Sequence, residues 1–185
     1  MTTKKILQGD KVYLRSCQIN DVTDEYVSWL NDEAVNQYLE TRFCEQTKEM
    51  VYEYVNKMIE SKHDYLFAII NKDDDKHIGN LHISFFPIHN RCEFAYFIGD
   101  KNSWGNGIPV EIVKLGTEFA FNELHTEWIG GGIYASNIFA VKAILKAGYK
   151  KEGYRRNYVY VGKDGKRDDV YLVGMTKEDF YNNKI

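Results

Sequence analysis

The chain has 185 residues and a formal net charge of −3. That is long enough for one domain with a substantial core, and it carries no basic excess to argue for nucleic-acid or membrane-surface binding. Cys17, Cys44 and Cys92 are odd in number and irregularly spaced, with no CxxC pair or His/Cys cluster, which excludes a disulfide framework and a zinc site. Met1 to Asp10 lacks the apolar run of a signal peptide, and no stretch is long enough to span a bilayer, so a reducing cytoplasmic location is expected.

No repeat, low-complexity tract or linker interrupts residues 1–185, so one continuous domain is expected. Val12 to about Arg15 reads as a first strand. Asn20 or Asp21 then caps a helix carrying Val22, Tyr26, Trp29 and Leu30, and a short helix covers Glu33 to Leu39. Thr47, followed by Met50, Val51, Tyr54, Val55, Met58 and Ile59 at spacings of three and four, gives an amphipathic helix.

Strands follow at Tyr65 to Ile70, His77 to Phe85 and Cys92 to Ile98, with a hairpin turn at Pro87 to Asn90. In the second of these, Asn80, His82 and Ser84 share one face and Leu81, Ile83 and Phe85 the other. A helix is expected from about Pro109 to Leu124, a strand from Trp128 to Ala135, a helix from Ile138 to Ala147 and a strand from Tyr149 to Tyr160. Gly162 to Gly165 makes a hairpin turn into a last strand near Val170 to Met175. The order β-α-α-α-β-β-β-α-β-α-β-β is a mixed α/β layer structure.

The most informative stretch is Trp104-Gly105-Asn106-Gly107-Ile108-Pro109, where a strand ends, two glycines turn the chain and a helix starts. Backbone N–H groups at a helix N-terminus lack internal partners and face outward beside the positive end of the dipole. Such a turn holds a phosphate or pyrophosphate without a basic side chain, and it also serves as a plain tight turn. A dinucleotide-binding fingerprint is excluded by the missing third glycine, and a triphosphate loop by the missing Gly-Lys-Ser/Thr.

Downstream, Tyr134-Ala-Ser-Asn137 closes a strand and Asn137 to Gly148 reads as a helix with a glycine C-cap. Trp104, Gly105, Gly107, Asn137, Lys146, Gly148, Glu152 and Gly153, with Leu14-Arg15 and Trp29-Leu30-Asn31-Asp32, together resemble the GNAT superfamily of acyltransferases. The resemblance is to the branch holding ribosomal-protein N-terminal acetyltransferases, and it spans nearly the whole chain. It implies the GNAT fold: a mostly antiparallel sheet, splayed between its fourth and fifth strands, with helices on both faces. It implies acyl-CoA, acetyl or longer, as co-substrate and no metal.

By that resemblance the pantetheine arm lies in a split between Glu93–Ile98 and Trp128–Ala135, bonded to backbone near Phe97 and Ile98. Gly105, Asn106, Gly107 and Ile108 hold the pyrophosphate, and Asn137 contacts the pantetheine, caps the next helix, or both. This sequence departs from the pattern at Asn102, where Gln or Arg is usual, and at Pro109, which lacks an N–H. It departs again at Ala140, a usual serine, and at Ile144, where many members carry a tyrosine general acid.

Attack of an amine on a thioester needs a base and an oxyanion site. Glu93 is the first base candidate, acting through water, and His82 the second; Tyr134 or Ser136 is the candidate to protonate the leaving thiolate. Glu93 and His82 each have a structural alternative: a carboxylate at a strand start and a structural strand histidine. Asn36 to Phe43 resembles a segment of GNAT enzymes acting on nucleotide-linked amino sugars. Arg42 is therefore a candidate phosphate contact, with Tyr38 or Phe43 stacking on a ring; the alternative is an exposed loop arginine. Gly130-Gly131-Gly132 implies a bulge, or side chains removed to admit a longer acyl chain.

The expected activity is acyl transfer from CoA to the amine of a nucleotide-linked amino sugar. A protein N-terminus is the alternative acceptor, and a non-catalytic acyl-CoA sensor the rival of another class. No nucleic-acid or membrane partner is expected.

Overall fold

A computed structural model describes residues 6–161 and 165–182. Its strands are β1 (Ile6–Gln8), β2 (Val12–Ser16), β3 (Asp64–Asn71), β4 (His77–Phe86), β5 (Arg91–Ile98), β6 (Trp128–Tyr134), β7 (Lys150–Val161) and β8 (Lys166–Thr176). Its helices are α1 (Asp24–Asn31), α2 (Glu33–Asn36), α3 (Lys48–Glu60), α4 (Ile108–Asn122), α5 (Ile138–Lys146) and α6 (Lys177–Asn182). Apart from Gly165, the expected hairpin turn at Gly162 to Gly165 lies outside the described residues. β1 and α6, of three and six residues, are too short to show a period in the sequence.

The strands form one sheet in the order β1-β2-β3-β4-β5-β6-β8-β7. Neighbours are antiparallel except β5 and β6, which run parallel over three rungs only: Arg91↔Trp128, Cys92↔Ile129 and Glu93↔Gly130. Parallel neighbours need a crossover, and α4 supplies it. Beyond Glu93 and Gly130 the strands part, so the sheet has two arms, β1–β5 and β6–β8–β7, meeting at a V.

Alternation assigns each face its cover. Leu81 and Ile83 of β4 and Phe67 and Ile69 of β3 join Ile112, Val113 and Phe119 of α4, Ile144 of α5 and Phe180 of α6 in one core. The opposite face packs Leu66 and Cys17 under Tyr26, Trp29 and Leu30 of α1 and Val51, Val55 and Met58 of α3. Each fully buried aliphatic or aromatic side chain of this kind stabilises the fold by about 1.5–3 kcal/mol.

Capping explains the helix starts. Thr47 Oγ1 accepts the Met50 N–H at 3.3 Å and caps α3. α1 is capped by Thr23, whose Oγ1 accepts the Tyr26 N–H at 3.2 Å, and not by Asn20 or Asp21. The Asp21 carboxylate is already committed to Arg15 at 2.7 and 2.6 Å and to the Gln18 N–H at 2.7 Å. α2 ends at Asn36, short of the predicted Leu39.

Candidate active site

The glycine turn sits at the N-terminus of α4 with three consecutive left-handed residues: Gly105 at φ 84°, Asn106 at 52° and Gly107 at 80°. Glycine and asparagine are the residues that tolerate this conformation. A Cβ on Gly105 or Gly107 would meet nothing within 4 Å, so the backbone there faces open space. Gly107 is the N-cap and Ile108 the first helical residue; Pro109 is second, not first as predicted. The Ile108 side chain is buried, and its N–H reaches back to Gly105 O at 3.4 Å.

Trp104 ties this turn to the sheet, its indole Nε1–H donating to Ile98 O at 2.9 Å. The orientation of neighbouring carbonyls along β5 follows. A Cβ on Gly79 of β4 would lie 2.2 Å from Phe97 O, and a Cβ on Gly131 of β6 3.3 Å from Phe94 O. Phe97 therefore turns its carbonyl to β4, while Phe94 and, by alternation, Tyr96 present theirs to the split. The expectation for Phe97 is corrected by this register: its backbone serves the β4 ladder, and its ring packs 5.9 Å from Tyr26. Tyr96 takes its place beside Ile98 on the open edge.

Glu93 stands on the last rung before the strands part, opposite Gly130 on one side and Ser84 on the other. Its side chain is 49% exposed, and its Oε1 accepts from Arg91 Nη1. His82 and Ser84 share its face, and both bond Asp64 of β3: His82 Nε2 lies 2.9 Å and Ser84 Oγ 2.7 Å from Asp64 Oδ1. Ser61 donates to the other carboxylate oxygen at 2.9 Å. Burial pushes the Asp64 carboxyl up, but the bonds from Ser84, Ser61 and His82 together outweigh it and hold it below the usual carboxylate range. Asn80, the third member of the polar row, donates to Phe67 O at 3.2 Å. The row that the sequence shows thus has structural partners. Asp64, on a separate strand, becomes visible only through the β3–β4 register.

Tyr134, on β6, carries its hydroxyl between Glu40 Oε1 at 2.8 Å and Arg42 Nη2 at 2.9 Å. Burial, reinforced by the bond to Glu40, pushes its phenol above the ordinary value. Arg42 is not the exposed loop arginine of one expectation, nor an open phosphate contact. Its side chain is 2% exposed. It donates to Leu39 O and Tyr160 O as well as Tyr134, and its guanidinium stacks 4.2 Å from the Phe43 ring. Arg42 therefore bolts the segment after α2 onto β6 and β7, the far arm of the V.

Beside it, Tyr38 packs 5.6 Å from the Tyr134 ring and donates to Ser136 O at 3.3 Å. Ser136 Oγ in turn donates to Asp168 Oδ2 at 2.7 Å. Phe43 is 58% exposed. Asn137 fills its capping role, its side chain accepting the Ala140 N–H at 3.2 Å. Ile144 is buried in the core, so nothing titratable stands at that position.

The three glycines of β6 contain no bulge, because Trp128 to Tyr134 pair with β8 without a break. Each lacks a side chain for its own reason. A Cβ on Gly130 would strike Val173 O at 2.2 Å and the Trp128 ring at 2.5 Å. At Gly131 the contact is the Phe94 carbonyl across the split, and at Gly132 it is Val170 Cγ1 at 3.1 Å. Among the described residues no group of three His, Cys, Asp or Glu gathers in a metal-binding arrangement, and no helix is long and apolar enough to cross a membrane.

The family model of the acetyltransferase (GNAT) domain matches residues 11–150. The chain belongs to this family. It is 29% identical over 183 residues to the probable N-acetyltransferase YjcK of Bacillus subtilis (strain 168), covering 94% of this chain and 98% of that protein. To the uncharacterized N-acetyltransferase YoaA of the same organism it is 27% identical over 178 residues, covering 94% and 98%.

Solved structures share the GNAT fold. The spermidine N-acetyltransferase from Vibrio cholerae in complex with CoA and spermine aligns at TM-score 0.82 and 19% identity, over 94% of this chain and 100% of that one. An acetyltransferase (GNAT family) from Bacillus anthracis aligns at 0.80 and 17%, over 94% and 99%. The protein is thus an N-acyltransferase.

Proposed function

We propose that this GNAT enzyme transfers an acyl group from acyl-CoA to the amine of a small, positively charged acceptor. The observation that carries the acceptor class is the closure of Arg42. Its guanidinium is buried, with Glu40 as its counter-ion at 3.6 Å, and the Glu40 side chain remains 80% exposed; Glu40 and Asp168 stand on the same wall, beside Tyr134 and Ser136. A wall of carboxylates attracts an ammonium and repels a phosphate. The spermidine N-acetyltransferase of the same fold acts on an acceptor of this charge.

The open turn at Gly105 and Gly107 fits a pyrophosphate, and the free edge of β5 fits a pantetheine arm. Gly105, Asn106, Gly107 and Ile108 would hold the former; Tyr96 and Ile98, with Asn137 at the far end, would line the latter. A bound CoA thioester supplies the activated acyl carbon. Glu93, at the vertex, removes the proton of the attacking amine through water. His82, held by Asp64, is the second candidate for that role. Tyr134 holds its proton more tightly than an ordinary phenol, and both of its neighbours keep it engaged, so it serves better as a brace than as an acid. Free thiols at Cys17, Cys44 and Cys92 suit a reducing, cytoplasmic setting.

A nucleotide-linked amino sugar is the second reading, favoured by the exposed Phe43 ring backed by Arg42 and by Tyr38 nearby as stacking faces. Release of CoA thiol from acetyl-CoA with polyamines, basic peptides and nucleotide-linked amino sugars separates the readings. Turnover with the sugar nucleotides alone overturns the charged-amine proposal. For the base, Glu93→Gln is expected to lower kcat by about 100-fold or more, the usual range for general-base loss, at unchanged KM for acetyl-CoA. An unchanged kcat removes Glu93 from the role.

A further inference from the structure

We infer that Lys11, in the turn between β1 and β2, is the cation that neutralises the CoA pyrophosphate on the glycine turn. The inference rests on the CoA site proposed above and adds to it a residue 95 positions away in the chain.

The Lys11 ammonium donates to Asn106 O, in the middle of the left-handed run. It is held there by a fixed backbone. Glu111, in the first turn of α4, accepts the N–H groups of Lys11 and Val12 on one carboxylate oxygen at 2.9 and 3.1 Å. Gly9 N–H closes the tight turn onto Val12 O at 2.9 Å. Lys72 clamps the same turn twice, its Nζ donating to Gly9 O at 2.6 Å and its N–H to Lys11 O at 2.9 Å. The root of the Lys11 side chain is thereby fastened to the helix whose N-terminus forms the phosphate seat.

An ammonium carries three donors, and Asn106 takes one. The turn itself offers neutral N–H groups, of which that of Ile108 is already shared with Gly105 O at 3.4 Å, and Pro109 has none. Lys101, the basic residue just before the turn, is committed to Asp32 on the acceptor-side helices. Glu111, in the first turn of α4, spends one oxygen on the Lys11 and Val12 amides. A doubly charged pyrophosphate on this seat therefore finds its formal counter-charge in Lys11. A charge-assisted bond of this kind is roughly twice as strong as a neutral one, which corresponds to about a tenfold effect on binding.

The test is calorimetric binding of CoA and of 3′-dephospho-CoA to the intact enzyme, Lys11→Met and Lys11→Arg, each at low and moderate salt. Lys11→Met is expected to weaken both ligands about tenfold and to flatten the salt dependence, whereas Lys11→Arg stays within about threefold of the parent. Equal affinities for the parent and Lys11→Met overturn the inference. A loss seen with CoA but absent with dephospho-CoA also overturns it, because Lys11 then answers the 3′-phosphate. Equal weakening in both variants at unchanged salt dependence marks a purely structural contact and overturns it as well. A parent enzyme that binds neither ligand sinks the CoA site itself, a failure visible before any variant is made.

Discussion

Glu93 and Gly130 form the last rung that joins β5 to β6, and the two halves of the sheet separate immediately beyond them. The residue after each is aimed at the opening: Phe94 by its carbonyl, and Gly131 by the position its missing Cβ would take, 3.3 Å from that oxygen.

Filling that position should therefore obstruct the split. Gly131→Val is expected to lower kcat/KM for acyl-CoA at least tenfold, more for butyryl-CoA than for acetyl-CoA, with little change in melting temperature. Steady-state kinetics with both donors and a thermal melt check it. A parent enzyme that turns over butyryl-CoA at far below one percent of the acetyl-CoA rate rules out the idea that this strand was cleared for longer chains.

Gly130→Ala, one residue earlier, should act on stability instead, since its Cβ lands on Val173 O and the Trp128 ring. Overpacking of this kind costs about 1–3 kcal/mol, and each kcal/mol moves the melting temperature of a chain this size by roughly 2–4 °C. A melt at the parent temperature contradicts the close approach.

Arg42→Ala removes donors from Leu39 O, Tyr134 and Tyr160 O and strips the Phe43 ring of its partner. A loss of about 2–4 kcal/mol is expected, read from urea denaturation. Arg42→Lys should recover little of it, because an ammonium cannot reach three acceptors in the fork geometry of a guanidinium.

Trp104→Phe cuts the tether between the glycine turn and Ile98 O. KM for acetyl-CoA is expected to rise several-fold with kcat held within about twofold, since the tether positions the seat without touching the acceptor wall. Equal falls in kcat and kcat/KM would place its effect on the chemical step instead.

Stability should fall with acidity in two steps. Burial between Tyr26 and Trp29 holds His77 below its ordinary value. The unfolded chain then binds protons that the folded one refuses once pH drops below about 6.5, and stability drains from there downward. Asp21 behaves as a depressed acid. Burial raises it, but Arg15 and the Gln18 N–H together outweigh that and hold it low. Its contribution is present above the unfolded value of about 3.9 and is lost as pH falls through the folded value. Melting temperature against pH should show His77→Gln flattening the upper step and Asp21→Asn the lower.

What the sequence made legible is local. The glycine turn, the cap at Asn137 and the strand alternation of β4 are all encoded within a few residues, and the structure has them where the pattern puts them. What it hid depends on register and on distant segments. Phe97 and Tyr96 look equally suited to line the split, and only the β4 ladder says which carbonyl is free. Asp64 reads as an ordinary acid before an apolar run until β3 is laid beside β4. Arg42 reads as a loop residue because its partners, Tyr134 and Tyr160, lie some ninety and more positions away. Lys11 is silent for the same reason.

The strand order has a consequence for how the chain is made. β6 keeps three rungs to β5, while its long ladder, from Trp128↔Thr176 to Tyr134↔Val170, is to β8, which is synthesised some thirty residues later. Until residues 166–176 leave the ribosome, β6 exposes an unpaired edge beside a glycine-rich stretch, and open edges of this sort recruit other chains. A ribosome stalled or released before residue 166 should therefore yield an aggregating product instead of a shorter enzyme.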